Sequence, residues 1–177
     1  MKTKAKQARE PGAVYLAGPS GFFEAGILWH NSVLVPAVKK AGLVPIDPWE
    51  NQSGIATALA LAPGKKRFQA LQAANLEQGR LDLRLVDASY GMLASLDGQD
   101  VDSGTAVEIG YGFAHGLVIV GLRTDIRRCS DNEGSVVNLM IETCIADSGG
   151  ILTDSLEEAV TFLQEKLLCA SFIIDNP

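Results

Sequence analysis

Short, continuously apolar runs alternate with longer segments of helical spacing along almost the whole chain, and few folds accept that pattern. "AVYLAGPSG" reads as a buried strand entering a Gly/Pro turn, and "ILWHNSVLVPAVKKAG" as a helix closed by Gly42. "LVPID" follows as a second strand, the turn-rich "PWENQSG" next, and then a long helix over "RFQALQAANLEQGRLDLRLVDA". "ASYGMLASL" is a third strand, "GTAVEIGYGFAHG" a helix, "LVIVGL" a strand, "VVNLMIETCIA" a helix and "GGILT" a short strand. "DSLEEAVTFLQEKLL" closes the series as a helix capped by Asp154. Alternation of this kind predicts an α/β fold, a doubly wound sandwich with a mainly parallel sheet whose ligands sit beyond the carboxyl ends of the strands.

At 177 residues the chain suits one domain with one substantial core. No repeat, low-complexity tract or linker divides it, so residues 1–11 are read as a flexible tail and residues 12–177 as the domain. The basic start "MKTKAKQAREPG" leads into a strand-like run rather than the apolar region of a secretion signal. No apolar run reaches the roughly 18 residues of a membrane span, so no membrane partner is expected. Cys129, Cys144 and Cys169 are odd in number and widely spaced, which disfavours a disulfide framework and a zinc site; a cytoplasmic protein without a metal is expected. A net charge of −6 argues against a nucleic-acid partner, which calls for a basic face, and favours small molecules.

The most informative stretch is "DGQDVDSGTAVEIGYG", residues 97 to 112, which leaves the third strand and enters a helix. Asp97 and Asp100 fit an ordinary solvated turn. Asp102 stands where a side chain caps the free N–H groups of the helix that begins at Ser103-Gly104. Glu108 falls near the second turn between Val107 and Ile109, either facing solvent or half-buried where an unpaired carboxylate is costly. A half-buried Glu beside a second carboxylate suits glycosyl transfer: one attacks the anomeric carbon and the other manages a proton.

Four segments in order, "VYLAGPSGFF", "DASYGML", "DSGTAVEIGYG" and "VVNLM", resemble the nucleoside 2-deoxyribosyltransferase family from about residue 13 to about residue 145. The specific part joins Tyr15-x-x-Gly18-Pro19 with Asp102-x-Gly104-x-x-x-Glu108-x-Gly110. The resemblance implies a flavodoxin-like, Rossmann-like sandwich and a transferase of nucleotide salvage. Its partners are 2′-deoxynucleosides and free nucleobases, exchanged without a cofactor through a deoxyribosyl-enzyme ester. It implies Glu108 as nucleophile, Tyr15 as the hydroxyl that orients it, and Asp102 as an acid near the base or sugar. Gly18 belongs to the substrate-binding turn, and Asp87 matches the family aspartate at the end of the third strand that binds the nucleoside. Asn138 matches the asparagine that reaches a neighbouring subunit's site and holds the sugar 5′-hydroxyl, which implies a homo-oligomer; alternatively it caps its own helix.

Phe22 lies along the sugar or base, or packs in the core; Trp49 stacks on the base, or covers the core edge. A related branch, the 2′-deoxynucleoside 5′-phosphate N-hydrolases, carries serine at the Asn138 position and adds basic residues for the phosphate. The absence of arginine in "AGPSGFF" and the asparagine of "VVNLM" favour a free 5′-hydroxyl, although the basic "RTDIRRCS" can reach an anion. Hydrolysis, or nucleotide binding without turnover, therefore stands beside transfer. His30 and His115 are lone histidines without a matched carboxylate, "GYGFAHG" lacks the setting of a dinucleotide turn, and Ser20, Ser89 and Ser103 lack G-x-S-x-G. The C-terminal "SFIIDNP", with Asp175, has no clear counterpart in the family.

Overall fold

The computed structural model describes residues 9 to 169, and five strands form its centre. β1 (Ala13–Ala17), β3 (Gly91–Ser95) and β4 (Val118–Leu122) are almost wholly buried, which explains their unbroken apolar sequence. β2 (Val44–Ile46) and β5 (Leu152–Thr153) are short edges. The order is β2-β1-β3-β4-β5 and every pairing is parallel. The chain winds outward from β1 to β2 and then crosses to β3 on the other side. The connections therefore diverge between β1 and β3, and such a switch opens a crevice at the carboxyl ends of those two strands.

Side chains alternate across the sheet. Tyr15, Ala17, Met92, Ala94 and Ile119 pack toward α4 (Lys65–Asp87), α5 (Ser103–Ala114) and α6 (Leu139–Asp147). Val14, Leu16, Leu93 and Val120 pack toward α1 (Glu24–Trp29), α2 (Val35–Lys40) and α7 (Leu156–Gln164). Both faces are covered, as the doubly wound reading requires. Among the described residues no helix is long and apolar enough to cross a membrane.

The first helical segment is not regular. Between α1 and α2 the chain makes a wide π turn over His30–Leu34, in which the Val35 N–H reaches the His30 carbonyl. Pro36 follows at once. It lacks an N–H and its ring needs clearance from the carbonyl four residues earlier, so a widened turn lets the helix pass through it. Gly42, at φ 74, ends the segment as expected. A further helix, α3 (Ser53–Leu59), was hidden behind "PWENQSG", whose first part forms the 3-10 turn Pro48–Asn51. The cap of α7 is Ser155, whose hydroxyl accepts from the Glu158 N–H, and not Asp154. Of the tail expected over residues 1–11, residues 1–8 lie outside the described range. Arg9 donates to the Asp87 and His115 carbonyls and lies over the Tyr90 ring. The segment "SFIIDNP", with Asp175, also lies outside the described residues.

Candidate active site

The acidic loop after β3 is held by the end of β4. Asp97 accepts from the Thr124 N–H at 2.6 Å, the Thr124 hydroxyl at 2.7 Å and the Asp125 N–H at 2.8 Å. Arg123, only 4% exposed, donates to the carbonyls of Leu96, Gly98 and Arg127. Asp100 accepts from the Val101 N–H. Two acids of the cluster thus shape the loop, which delivers Asp102 to the start of α5. There Asp102 Oδ2 accepts from the Thr105 N–H at 3.0 Å and the Thr105 hydroxyl at 3.3 Å, capping the helix.

Two turns into α5, Glu108 meets β1. The fully buried Tyr15 donates its phenol to Glu108 Oε1 at 2.6 Å, a short bond that leaves Oε2 for other partners. Burial raises the Glu108 carboxyl from 4.5 to about 7; Asp82 and Asp102 push the same way, and the Tyr15 bond opposes them. Burial beside Glu108 also drives the Tyr15 phenol far up, so it stays a donor. The pair opens into a cleft of about 510 Å³ whose lining includes Gly18, Phe22, Trp49, Asp82, Asp102 and Glu108. Among the described residues, none that lines the cleft is basic. Burial raises the Asp82 carboxyl too, and Gln78 Nε2 donates to its Oδ1 at 2.9 Å.

The aromatic wall depends on small residues. The Trp49 indole lies on Gly21, where a Cβ would come within 2.1 Å of the ring, and meets Phe22 edge-on at 4.8 Å between centroids. Gly18, at φ 150, approaches Ser95 so closely that a Cβ would stand 2.9 Å from the serine Cβ. A side chain at either glycine would displace the floor of the cleft.

The fold therefore brings Tyr15, Gly18, Phe22, Trp49, Asp102 and Glu108 together, and it does not bring Asp87. Asp87 ends α4 and precedes β3, at the amino end of the sheet rather than at the end of the third strand. It is occupied there by the Tyr111 hydroxyl at 3.1 and 3.2 Å and by His115 Nδ1 at 2.8 Å. Asp82, earlier on the same helix, stands in the cleft instead. Asn75, Gln78, Gly79 and Asp82 recur at helical spacing and all line the cleft, but α4 is polar on its other faces too, so the spacing does not single them out. Asn138 lies outside the cleft: its Oδ1 caps α6 by accepting from the Met140 N–H at 3.0 Å, and it lines a separate cavity with Ile109 and Gly110. The two histidines are not lone. His115 pairs with Asp87, and His30 Nε2 lies 2.7 Å from Asp47 Oδ2; pairs so distant along the chain leave no local pattern. The arginines of "RTDIRRCS" stay outside the cleft: Arg127 pairs with Asp125, and Arg128 donates to the Glu133 and Ser135 carbonyls.

Known proteins share this fold. A protein of Schizosaccharomyces pombe, described only as uncharacterised, is 34% identical over 128 residues; the match takes in 70% of this chain, which spans 55% of that relative's length. A 2-deoxyribosyltransferase from Leishmania mexicana superimposes with TM-score 0.63 at 26% identity, covering 89% of this chain and all of that one. The 2-deoxyribosyltransferase of Bacillus psychrosaccharolyticus shares the fold, with TM-score 0.58 at 22% identity over 85% of this chain and 91% of that one. A conserved protein from Enterococcus faecalis does so at 0.61 and 24%, over 89% of this chain and all of its own. The family model described as nucleoside 2-deoxyribosyltransferase matches residues 14–140, a span that contains Tyr15, Asp102 and Glu108. On that match, the chain belongs to the nucleoside 2-deoxyribosyltransferase family.

Proposed function

We propose that this protein moves the 2-deoxyribosyl group of a 2′-deoxynucleoside from one nucleobase to another through an ester on Glu108. The observation that carries the reading is the Tyr15–Glu108 bond of 2.6 Å at the floor of a cleft that also holds Asp82 and Asp102. Tyr15 fixes Oε1, and Oε2 attacks C1′. The electron pair of the N-glycosidic bond leaves with the base, which takes a proton from Asp82, whose carboxyl burial raises. Asp102, anchored as a cap, accepts from a sugar hydroxyl. A second base returns the sugar by the reverse sequence, giving up its proton to Asp82. The three carboxylates of the cleft, Asp82, Asp102 and Glu108, favour a free 5′-hydroxyl, because a phosphate brought among them would meet like charge.

Incubating the protein with deoxyinosine, with and without adenine, tests the reading. Deoxyadenosine formed only when adenine is present supports exchange. Hypoxanthine released equally without adenine identifies an N-hydrolase, and unchanged deoxyinosine a binding module. Inosine should turn over far more slowly, since a 2′-hydroxyl crowds the approach of Glu108, and small displacements at the reacting atoms cost about 100-fold.

The active species in this reading is a homo-oligomer in which Asn138 completes a neighbour's sugar pocket. Its position on a different cavity from its own Glu108 supports that, as do the exposed Leu139 and Met140 beside it. Mixing Glu108→Ala with Asn138→Ala subunits should restore activity if the site is shared. No recovery despite demonstrated subunit exchange would count against it.

A further inference from the structure

We propose that His30 is a positioning residue for the base subsite: through Asp47 it fixes the turn that carries Trp49, and so sets the affinity for the nucleobase. The proposal rests on the exchange reading and places the base against Trp49, which lines the same cleft as Glu108. His30 is 4% exposed and opens the π turn between α1 and α2, a widening of the kind that recurs at functional sites. Its Nε2 lies 2.7 Å from Asp47 Oδ2, and Asp47 is 7% exposed. The other carboxylate oxygen, Oδ1, accepts the Trp49 N–H at 2.9 Å and caps the 3-10 turn Pro48–Asn51. Pro48 has no N–H, so that of Trp49 is the first donor of the turn. One carboxylate thus ties an α-helical segment to the backbone of the cleft's aromatic wall.

Packing alone does not fix the indole. Trp49 separates two cavities: the cleft that holds Glu108, and a cavity of about 310 Å³ lined by His30, Asp47 and Glu50 among others. On the cleft side the ring meets Phe22, while Gly21, against which the indole also lies, lines the second cavity. On the other side lies space into which it turns if its backbone is released. Removing His30 strands Asp47 Oδ2 in a buried place, where an unmet acceptor is costly. The carboxylate then rotates toward another donor and gives up the Trp49 N–H. The chemistry at Glu108 is not touched by this movement, so the loss falls on base affinity rather than on turnover at saturating base.

The sequence has two tryptophans, so a Trp29→Phe background makes Trp49 the only tryptophan, read selectively by excitation beyond the tyrosine band. In that background, acrylamide quenching of the ligand-free protein and the dissociation constant for adenine are measured for His30→Ala and for His30→Gln, whose amide N–H spans to the same oxygen. His30→Ala is expected to raise quenching about twofold and to weaken adenine about 5- to 10-fold, with the loss in KM and kcat within about twofold. His30→Gln restores both. Should His30→Ala not fold, His30→Asn, too short to reach Asp47, takes its place against His30→Gln with the same expectation. Unchanged quenching, unchanged adenine affinity, equal loss in the short and long variants, or a loss that falls on kcat overturns the proposal. A wild-type protein that neither binds adenine nor exchanges bases fails the exchange reading and the base-affinity half with it; quenching still decides whether His30 holds Trp49.

Discussion

Asp82 and Asp87 stand five residues apart on α4 and occupy opposite surroundings. Asp87, at the amino end of the sheet, is met by a tyrosine hydroxyl and a histidine, and its own carbonyl by Arg9. Asp82, at the carboxyl end, has one amide donor and two other carboxylates for company. The first arrangement is complete as it stands. In the second, burial raises the Asp82 and Glu108 carboxyls, with like charge adding to the rise at Glu108, and a substrate that develops positive charge or needs a proton relieves that cost. Asp125 makes the same point on the surface: paired with Arg127, it is held well below the usual carboxylate range, whereas Glu108 is raised to about 7.

The contrast breaks most visibly if both aspartates are neutralised in turn. Asp82→Asn should lower kcat/KM by about 100-fold or more, the usual scale of a lost general acid, while Asp87→Asn should stay within about threefold. Similar losses in the two variants would erase the distinction. Tyr15→Phe should cost roughly tenfold in kcat/KM, since one charge-assisted bond to the nucleophile is lost. Because that bond opposes burial, its removal should also move the Glu108 limb of the pH profile upward; a downward move contradicts the account.

In the wild type, kcat/KM should be bell-shaped in pH, held down on the acid side by protonation of Glu108, whose carboxyl is raised to about 7, and on the alkaline side by loss of the proton that Asp82 gives to the base. The same shift acts on stability. The folded carboxyl titrates at about 7, above its unfolded value of 4.5, so its contribution is full below 4.5 and is lost as pH rises through 7. Glu108→Gln should therefore be more stable than wild type at pH 8, by on the order of 2 kcal/mol once partial solvent access is allowed for, and the two should converge at pH 4. Urea unfolding at the two pH values reads this directly, and an equal gap at both would contradict it. The smallest effect belongs to Asp125→Asn, which should leave exchange kinetics unchanged because its partner Arg127 lies outside the cleft.

The strands were legible because β1, β3 and β4 are buried throughout, which turns each into a continuous apolar run. Asp102 and Glu108 were legible because a cap and a residue two turns later keep a fixed spacing on one helix. Asp82 was not, since α4 is polar over most of its surface and nothing local separates the carboxylate that faces the cleft from those that face water. Nor was α3, whose few small residues follow a turn-rich stretch. The His30–Asp47 pair joins elements 17 residues apart, and only the packing of the π turn against the end of β2 brings them together.

The central claim is that Glu108 itself takes the sugar. Intact-protein mass spectrometry of wild type and Glu108→Ala, each mixed with deoxyinosine and quenched in acid, tests it most directly. The account predicts that wild type gains the mass of one deoxyribosyl group, that fragmentation places it on Glu108, that free adenine removes it as deoxyadenosine, and that the variant never gains it. An adduct on another residue, or base exchange that persists in Glu108→Ala, would contradict it.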